Sequence, residues 1–320
     1  MHGARPRAGG RAGQRDLSRL RAHRPQPGSR GRAQADRPVR HAGRQTPARP
    51  RRTRGRRGGR PVPRERRRAL DHGRRAPSRR RPDGGALTVA ARVVRARERY
   101  HHQTSWLSTY WHFSFDHYHD PANVAFGPLR VFNDDTVAPG TGFPPHSHAD
   151  MEIVSYVLSG TLEHRDSAGH RGRIGPGELQ LMSAGTGITH AESNPSPTEA
   201  VHFLQVWILP RHRGRPPRWE QRAVRRADRA GRLLPVVGGA GAGALAIDQD
   251  ATFLLGALAA GEKVAHPLDP ARRAYLFVIE GGVRLDGDEL LAGDQARIDG
   301  VRGLELAATQ GTELLLLDLP

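Results

Sequence analysis

After Val89 the sequence is a succession of short apolar runs, rich in β-branched and aromatic residues and cut at close intervals by Gly, Pro and Asp. "TVAARVVRA", "WLSTYWHFSF" and "GPLRVFNDDTVAPG" begin it, the last reading as a strand that ends in a Pro-Gly turn. "MEIVSYVLSGTLEHRDSAG" reads as a hairpin turning at Ser159-Gly160. "GELQLMSAG", "AVHFLQVWILP", "ATFLLGALAAG", "AYLFVIEGGVRLDG" and "GTELLLLDLP" continue the pattern. Many short strands at this spacing predict an all-β sandwich or barrel.

Residues 211–233, "RHRGRPPRWEQRAVRRADRAGRL", break the texture. They are polar and carry a Pro pair, so a bridge between two β units is expected. The two halves echo each other: Gly140 to Gly160 precedes "GPGELQLM", and Gly261 to Gly282 precedes "LAGDQARI". That echo points to an internal duplication. The expected division is a tail at 1–86, a first β domain at 87–212, a bridge at 213–233 and a second β domain at 234–320.

The net charge of +19 hides two unlike parts. Residues 1–86 hold 28 Arg, no Lys and five acids, a net of +23, whereas the remaining 234 residues come to −4. "RRTRGRRGGRPVPRERRR" typifies the tail, which lacks residues able to build a core and is expected to be disordered. Three readings follow: an upstream stretch translated from a misplaced start, with the true start near Leu87 or Val89; an inert tail; or a nucleic-acid-binding arm, since dense Arg attracts phosphate. The absence of aromatic residues for base stacking weighs against the last. No cysteine is present, which excludes disulfides, thiolate metal sites and a cysteine nucleophile. No apolar run matches a signal peptide or a bilayer span, so a cytoplasmic protein is expected.

"PPHSHADME" carries the chemistry. Side chains alternate along a strand, so His146 and His148 point to one face. His190 and Glu192 in "GTGITHAESN" have the same spacing. If those strands are neighbours, one site gathers three imidazoles and a carboxylate, donors that suit Fe(II), Mn, Ni, Cu or Zn. His117 and His119 in "FDHYHDP" share the spacing but sit beside Asp120-Pro121, where a loop need not make them converge. His164 is expected to pack or hydrogen-bond on the hairpin. Glu152 is open to two readings, a ligand or a partner for an imidazole N–H.

These residues resemble the cupin superfamily and, more narrowly, the pirin family. Gly140, His146, His148 and Glu152 match the first cupin motif, and Gly160 follows one residue later than the general pattern, as in pirins. Gly177, His190 and Asn194 match the second, with Ser183 in place of the usual Pro and a stretched spacing through "SAGTGITHAE". "HFSFDHYHDPANVAFGPLRVFNDDTVAPGTGF", "SYVLSGTLEHRDSAG" and "WILPRHRGRPP" are also similar to pirin segments, so the likeness covers about residues 88–320. It implies a bicupin, two β-sandwich or jelly-roll barrels packed together. It also implies one metal in the N-terminal barrel, held by His146, His148, His190 and Glu192, with Fe(II) the first expectation and Mn, Ni, Cu, Co or Zn the others. The C-terminal barrel, with only His266 in "GEKVAHPLD", is expected to hold none.

The function implied by the resemblance is a quercetin 2,3-dioxygenase-type oxygenase. A flavonol or similar enol and O2 are its substrates, and Glu192 is both ligand and general base. The alternative is a metal- or redox-dependent regulator that binds a transcription or metabolic protein. A third reading makes the metal a structural staple of the barrel.

Overall fold

In the computed structural model, residues 91–238 and 243–320 are described. The tail and every expectation placed on it lie outside them. The described chain is all-β: twenty-one strands and two single turns of 3-10 helix.

Four sheets make two sandwiches. In the first, a seven-stranded sheet runs in the spatial order Arg218–Ala223, Glu178–Ser183, Glu152–Ser159, Val201–Ile208, Leu129–Val137, Leu107–Trp111 and Tyr100–Gln103. It is joined by a four-stranded sheet in the order Gly142–His148, Ile188–Ser193, Leu162–Asp166 and Arg171–Ile174. The second sandwich has a six-stranded sheet: Ala91–Val94, Gln295–Asp299, Arg273–Glu280, Thr312–Leu319, Thr252–Leu258 and Leu233–Gly238. Its small sheet is Lys263–Pro267, Gly303–Ala308, Gly282–Leu285 and Asp288–Leu291. The central strands follow one another in the same order in both halves, the topological form of the echo in the sequence.

The central strands of the large sheets are apolar on both faces because both faces are covered. Along Glu152–Ser159, Val154 and Tyr156 enter a cluster with Phe253, Tyr275 and Leu317 of the second sandwich, while Val157 turns into the first sandwich with Leu162 and Phe203. The second sandwich is filled by aliphatic side chains, among them Leu276, Leu304, Leu306 and Leu316. The first is not. Between its apolar ends lies a layer of buried polar groups: His164, Gln180, His190, Glu192 and Gln205. The strand Gly303–Ala308 occupies the place in its sheet that Ile188–Ser193 occupies in the first, and it points leucines inward where the other points His190 and Glu192.

Three expectations are corrected. Ser159-Gly160 is not a hairpin turn: the strands on either side belong to different sheets, and Gly160, at φ 73°, is the corner between them. Residues 213–233 are not only a bridge. Arg218–Ala223 forms an edge strand on Glu178–Ser183, since an edge needs cover on one face and Trp219 provides it. Ala91–Val94 pairs with Gln295–Asp299 and so belongs to the second sandwich, where Ala91 and Val93 pack on the aliphatic core.

Candidate metal centre

Gly142–His148 and Ile188–Ser193 pair antiparallel, with His190 opposite His146 and Ile188 opposite His148. Strand alternation then turns all three imidazoles to one side. Their ring centroids stand 4.5–5.0 Å apart, and one nitrogen from each lies within 4.8 Å of the others. His146 and His148 are half-buried and His190 is buried.

Each ring offers a lone pair. Nδ1–H of His146 donates to the Pro144 carbonyl at 2.8 Å, which leaves Nε2 free. Nε2 of His148 and Nε2 of His190 are buried without a partner. Burial, aided by the neighbouring imidazoles, pushes His148 down to about 4 and His190 down to about 3, so both rings are neutral near pH 7. Unshared imidazole nitrogens on His146, His148 and His190 fit a divalent transition metal.

The orientation of His190 is fixed from behind. Asp166, fully buried, accepts from His164 Nε2 at 3.1 Å and from His170 Nδ1 at 2.9 Å. Burial pushes the Asp166 carboxyl up, but these bonds outweigh it and leave it below the usual range. A carboxylate only accepts, so His164 carries its proton on Nε2 and presents Nδ1 as an acceptor. His190 Nδ1 lies 3.5 Å from that acceptor and is the donor, which aims the Nε2 lone pair at the cluster.

Glu192 follows His190 on the same face. Its carboxylate falls within 4.8 Å of nitrogens of His164 and His190, a set that shares only His190 with the three-imidazole group. One oxygen accepts from Gln180 Nε2, the other from Gln205 Nε2 at 2.6 Å. Each amide is set by an indole. Trp219 Nε1–H donates to Gln180 Oε1 at 2.9 Å, and Trp207 Nε1–H donates to Gln205 Oε1 at 3.0 Å. An indole nitrogen only donates, so neither amide can flip without facing donor to donor. Both Glu192 oxygens therefore face N–H donors. The same indoles touch the imidazoles: Trp207 packs edge-on against His148 at 4.8 Å, and Trp219 stacks on His164 at 5.4 Å.

The structure thus brings His146, His148 and His190 together, with Glu192 beside them. Glu152 is elsewhere. It lies on the opposite face of its strand, where Ser183 Oγ donates to it at 2.6 Å, and burial raises its carboxyl pKa. His117 joins an aromatic group with His102 and Trp111 and is not among the grouped imidazoles. His266 meets Asp318 at 2.8 Å. Sequence reasoning missed the roles of His164, Asp166, Gln180, Gln205 and the two indoles. Their signal is parity alone: each polar residue sits at an inward position of its strand.

Residues 92–208 match the family model described as Pirin, and residues 236–319 match one described as Quercetinase C-terminal cupin domain. A protein of Escherichia coli (strain K12) named quercetin 2,3-dioxygenase is 41% identical over 226 residues, 71% of this chain and 97% of that one. A pirin-like protein of Caulobacter vibrioides is 42% identical over 215 residues, 67% of this chain and 92% of that one. The crystal structure of the bacterial pirin YhhW from Escherichia coli in complex with nickel(II) superposes with a TM-score of 0.69 at 39% identity, covering 72% of this chain and 99% of that one.

Proposed function

The chain belongs to the pirin family, and from that premise we propose that it is a metal-dependent oxygenase of the quercetin 2,3-dioxygenase type, cleaving a flavonol or a similar enol with O2. In this reading His146, His148, His190 and Glu192 hold one divalent ion, Fe(II) first, with Mn, Ni, Cu, Co or Zn also compatible with nitrogen and oxygen donors. The nickel(II) complex of the Escherichia coli relative supports a divalent ion in such a site. The observation that carries the proposal is a group of three imidazoles with unshared nitrogens that shares His190 with Glu192, whose two oxygens face N–H donors.

The bound ion would supply Lewis acidity to the enol oxygen and a path for electrons between substrate and O2. The chain's own residues do the rest. Glu192 takes the enol proton; Gln180 and Gln205 keep the carboxylate aimed while it is charged. Glu192 would hold the ion together with the three imidazoles. Trp207 walls the cluster beside His148 and keeps water from that side. His164 and Asp166 keep the His190 proton on Nδ1, away from the cluster.

Protein loaded in turn with Fe(II), Mn(II), Ni(II), Cu(II) and Co(II) is given quercetin in an oxygen electrode, with carbon monoxide assayed in the headspace. Metal-dependent O2 uptake, loss of the long-wavelength flavonol band and carbon monoxide release are expected. One bound equivalent of metal with no O2 uptake under any of the five ions overturns the substrate assignment.

A further inference from the structure

At one edge of the contact between the two sandwiches lies a cavity of about 260 Å³, lined mostly by polar atoms and by none of His146, His148, His190 and Glu192. A water molecule takes roughly 30 Å³, so the space suits a small polyatomic ion or several waters. Its floor is the outer face of two strands of the second sandwich. Arg92 stands directly opposite Arg297 in the ladder, and Val94 stands opposite Gln295. Like charges directly opposed across a ladder destabilise it.

Arg297 is 8% exposed, yet its polar partners are neutral. Nη1 donates to Asn123 Oδ1 at 2.8 Å, Nη2 donates to the His112 carbonyl at 2.9 Å, and the guanidinium lies over the Phe113 ring. Nε is buried without a partner, as is Oε1 of Gln295 beside it. Burial first, and the charge of Arg92 with it, hold the guanidinium pKa below its ordinary range. The acids on the rim do not answer this charge. Glu98 accepts from the Arg95 N–H at 2.7 Å and Asp120 from the Ala122 N–H at 2.9 Å, and neither forms an ion pair with Arg92 or Arg297 among the described residues. A third cation, Arg99, also lines the cavity, and its partner is Asp134. A buried cation without a counter-ion, facing a second cation, is costly.

We propose that this cavity binds a small oxyanion of the phosphate type, gripped between Arg92 and Arg297. The anion neutralises the opposed pair. The site is independent of the metal centre and of the oxygenase reading.

The test is thermal unfolding of the full chain in rising inorganic phosphate at constant ionic strength, with chloride as the balancing ion. A saturable rise in melting temperature is expected, since a ligand that binds only the folded state stabilises it. Arg92→Ala removes an exposed side chain, folds, and weakens the apparent phosphate affinity by roughly tenfold or more. Arg92→Glu abolishes the response. The Arg-rich first 86 residues are common to all three proteins and cancel in the comparison. No phosphate-dependent rise, or the same rise in wild type, Arg92→Ala and Arg92→Glu, overturns the site.

Discussion

The imidazole cluster stands or falls on single atoms. His146, His148 and His190 each bring one unshared nitrogen, so replacing any of them by Ala removes a third of the nitrogen donors. Metal affinity is expected to fall by more than the roughly 10–100-fold that an outer partner of a ligand is worth. His117→Ala, which removes no donor of the cluster, leaves metal content unchanged. Elemental analysis of the purified variants checks both. Glu192→Gln is a sharper probe. It keeps the shape but puts an amide between Gln180 and Gln205, whose N–H groups already point inward, so one N–H meets another. Turnover is expected to drop by roughly 10²–10⁴-fold at equal metal content, the range for a lost general base. Unchanged kcat in metal-matched Glu192→Gln would remove the base from the proposal. The first four residues were legible because i and i+2 on a strand share a face. Gln180, Gln205, Trp207 and Trp219 were not, because a polar residue in an alternating strand reads as solvent-facing until the partner sheet is known.

At the scale of elements, the alternation that revealed the strands could not tell which sheet each belonged to. "SYVLSGTLEH" has the hydrophobic pattern of a hairpin, yet its two strands lie in different sheets. What separates the cases is Gly160. At φ 73° it holds a left-handed corner, and a Cβ there would collide with the Ala200 carbonyl oxygen. Gly160→Ala is expected to destabilise the fold by more than about 1 kcal/mol, through backbone strain and that collision together, as read by denaturant midpoint. The edge strand Arg218–Ala223 was hidden for a related reason, since only Trp219 of its six residues is a large apolar group. A second element carries a pH signature. Asp134, on Leu129–Val137, accepts from His202 at 2.6 Å and from Arg99 at 2.7 Å. Burial pushes its carboxyl up, but the two bonds overcome this and bring it down to about 2, against an ordinary 3.8. A depressed carboxyl adds stability that is fully present above about pH 4 and lost as pH falls through 2. The contribution is about 2 kcal/mol. Stability curves should lose that acid limb in Asp134→Asn; an unchanged limb would assign it to other carboxylates.

At the scale of the molecule, two sandwiches of one topology have different interiors. The resemblance made the unequal halves legible, because "GEKVAHPLD" lacks the second His of the motif. The aliphatic filling of the second sandwich was visible only as apolar strands. What the sequence did not reveal is how the halves are fastened. Beyond the apolar contact of Tyr156, Phe253 and Leu317, a buried polar knot ties them. Tyr156, on a central strand of the first sandwich, donates to Glu313 of the second at 2.7 Å, while Arg229 reaches Glu313 at 2.7 Å and the Tyr156 hydroxyl at 2.9 Å. Burial and the Glu313 charge raise the Tyr156 pKa, so its proton stays in the knot. Removing the carboxylate strands a buried guanidinium, which costs about 3–5 kcal/mol, whereas Tyr156→Phe loses the bond to Glu313 and the bond from Arg229 but leaves the Arg229–Glu313 ion pair in place. Glu313→Ala should therefore lower the melting temperature more than Tyr156→Phe does. Because the knot and the shared core join both halves, wild type should melt in a single transition by calorimetry. Two resolved transitions in wild type would mean that the sandwiches unfold independently and that the knot fastens nothing. A single transition that moves down in Glu313→Ala, with the metal still bound below it, places the cost at the join rather than at the imidazole cluster.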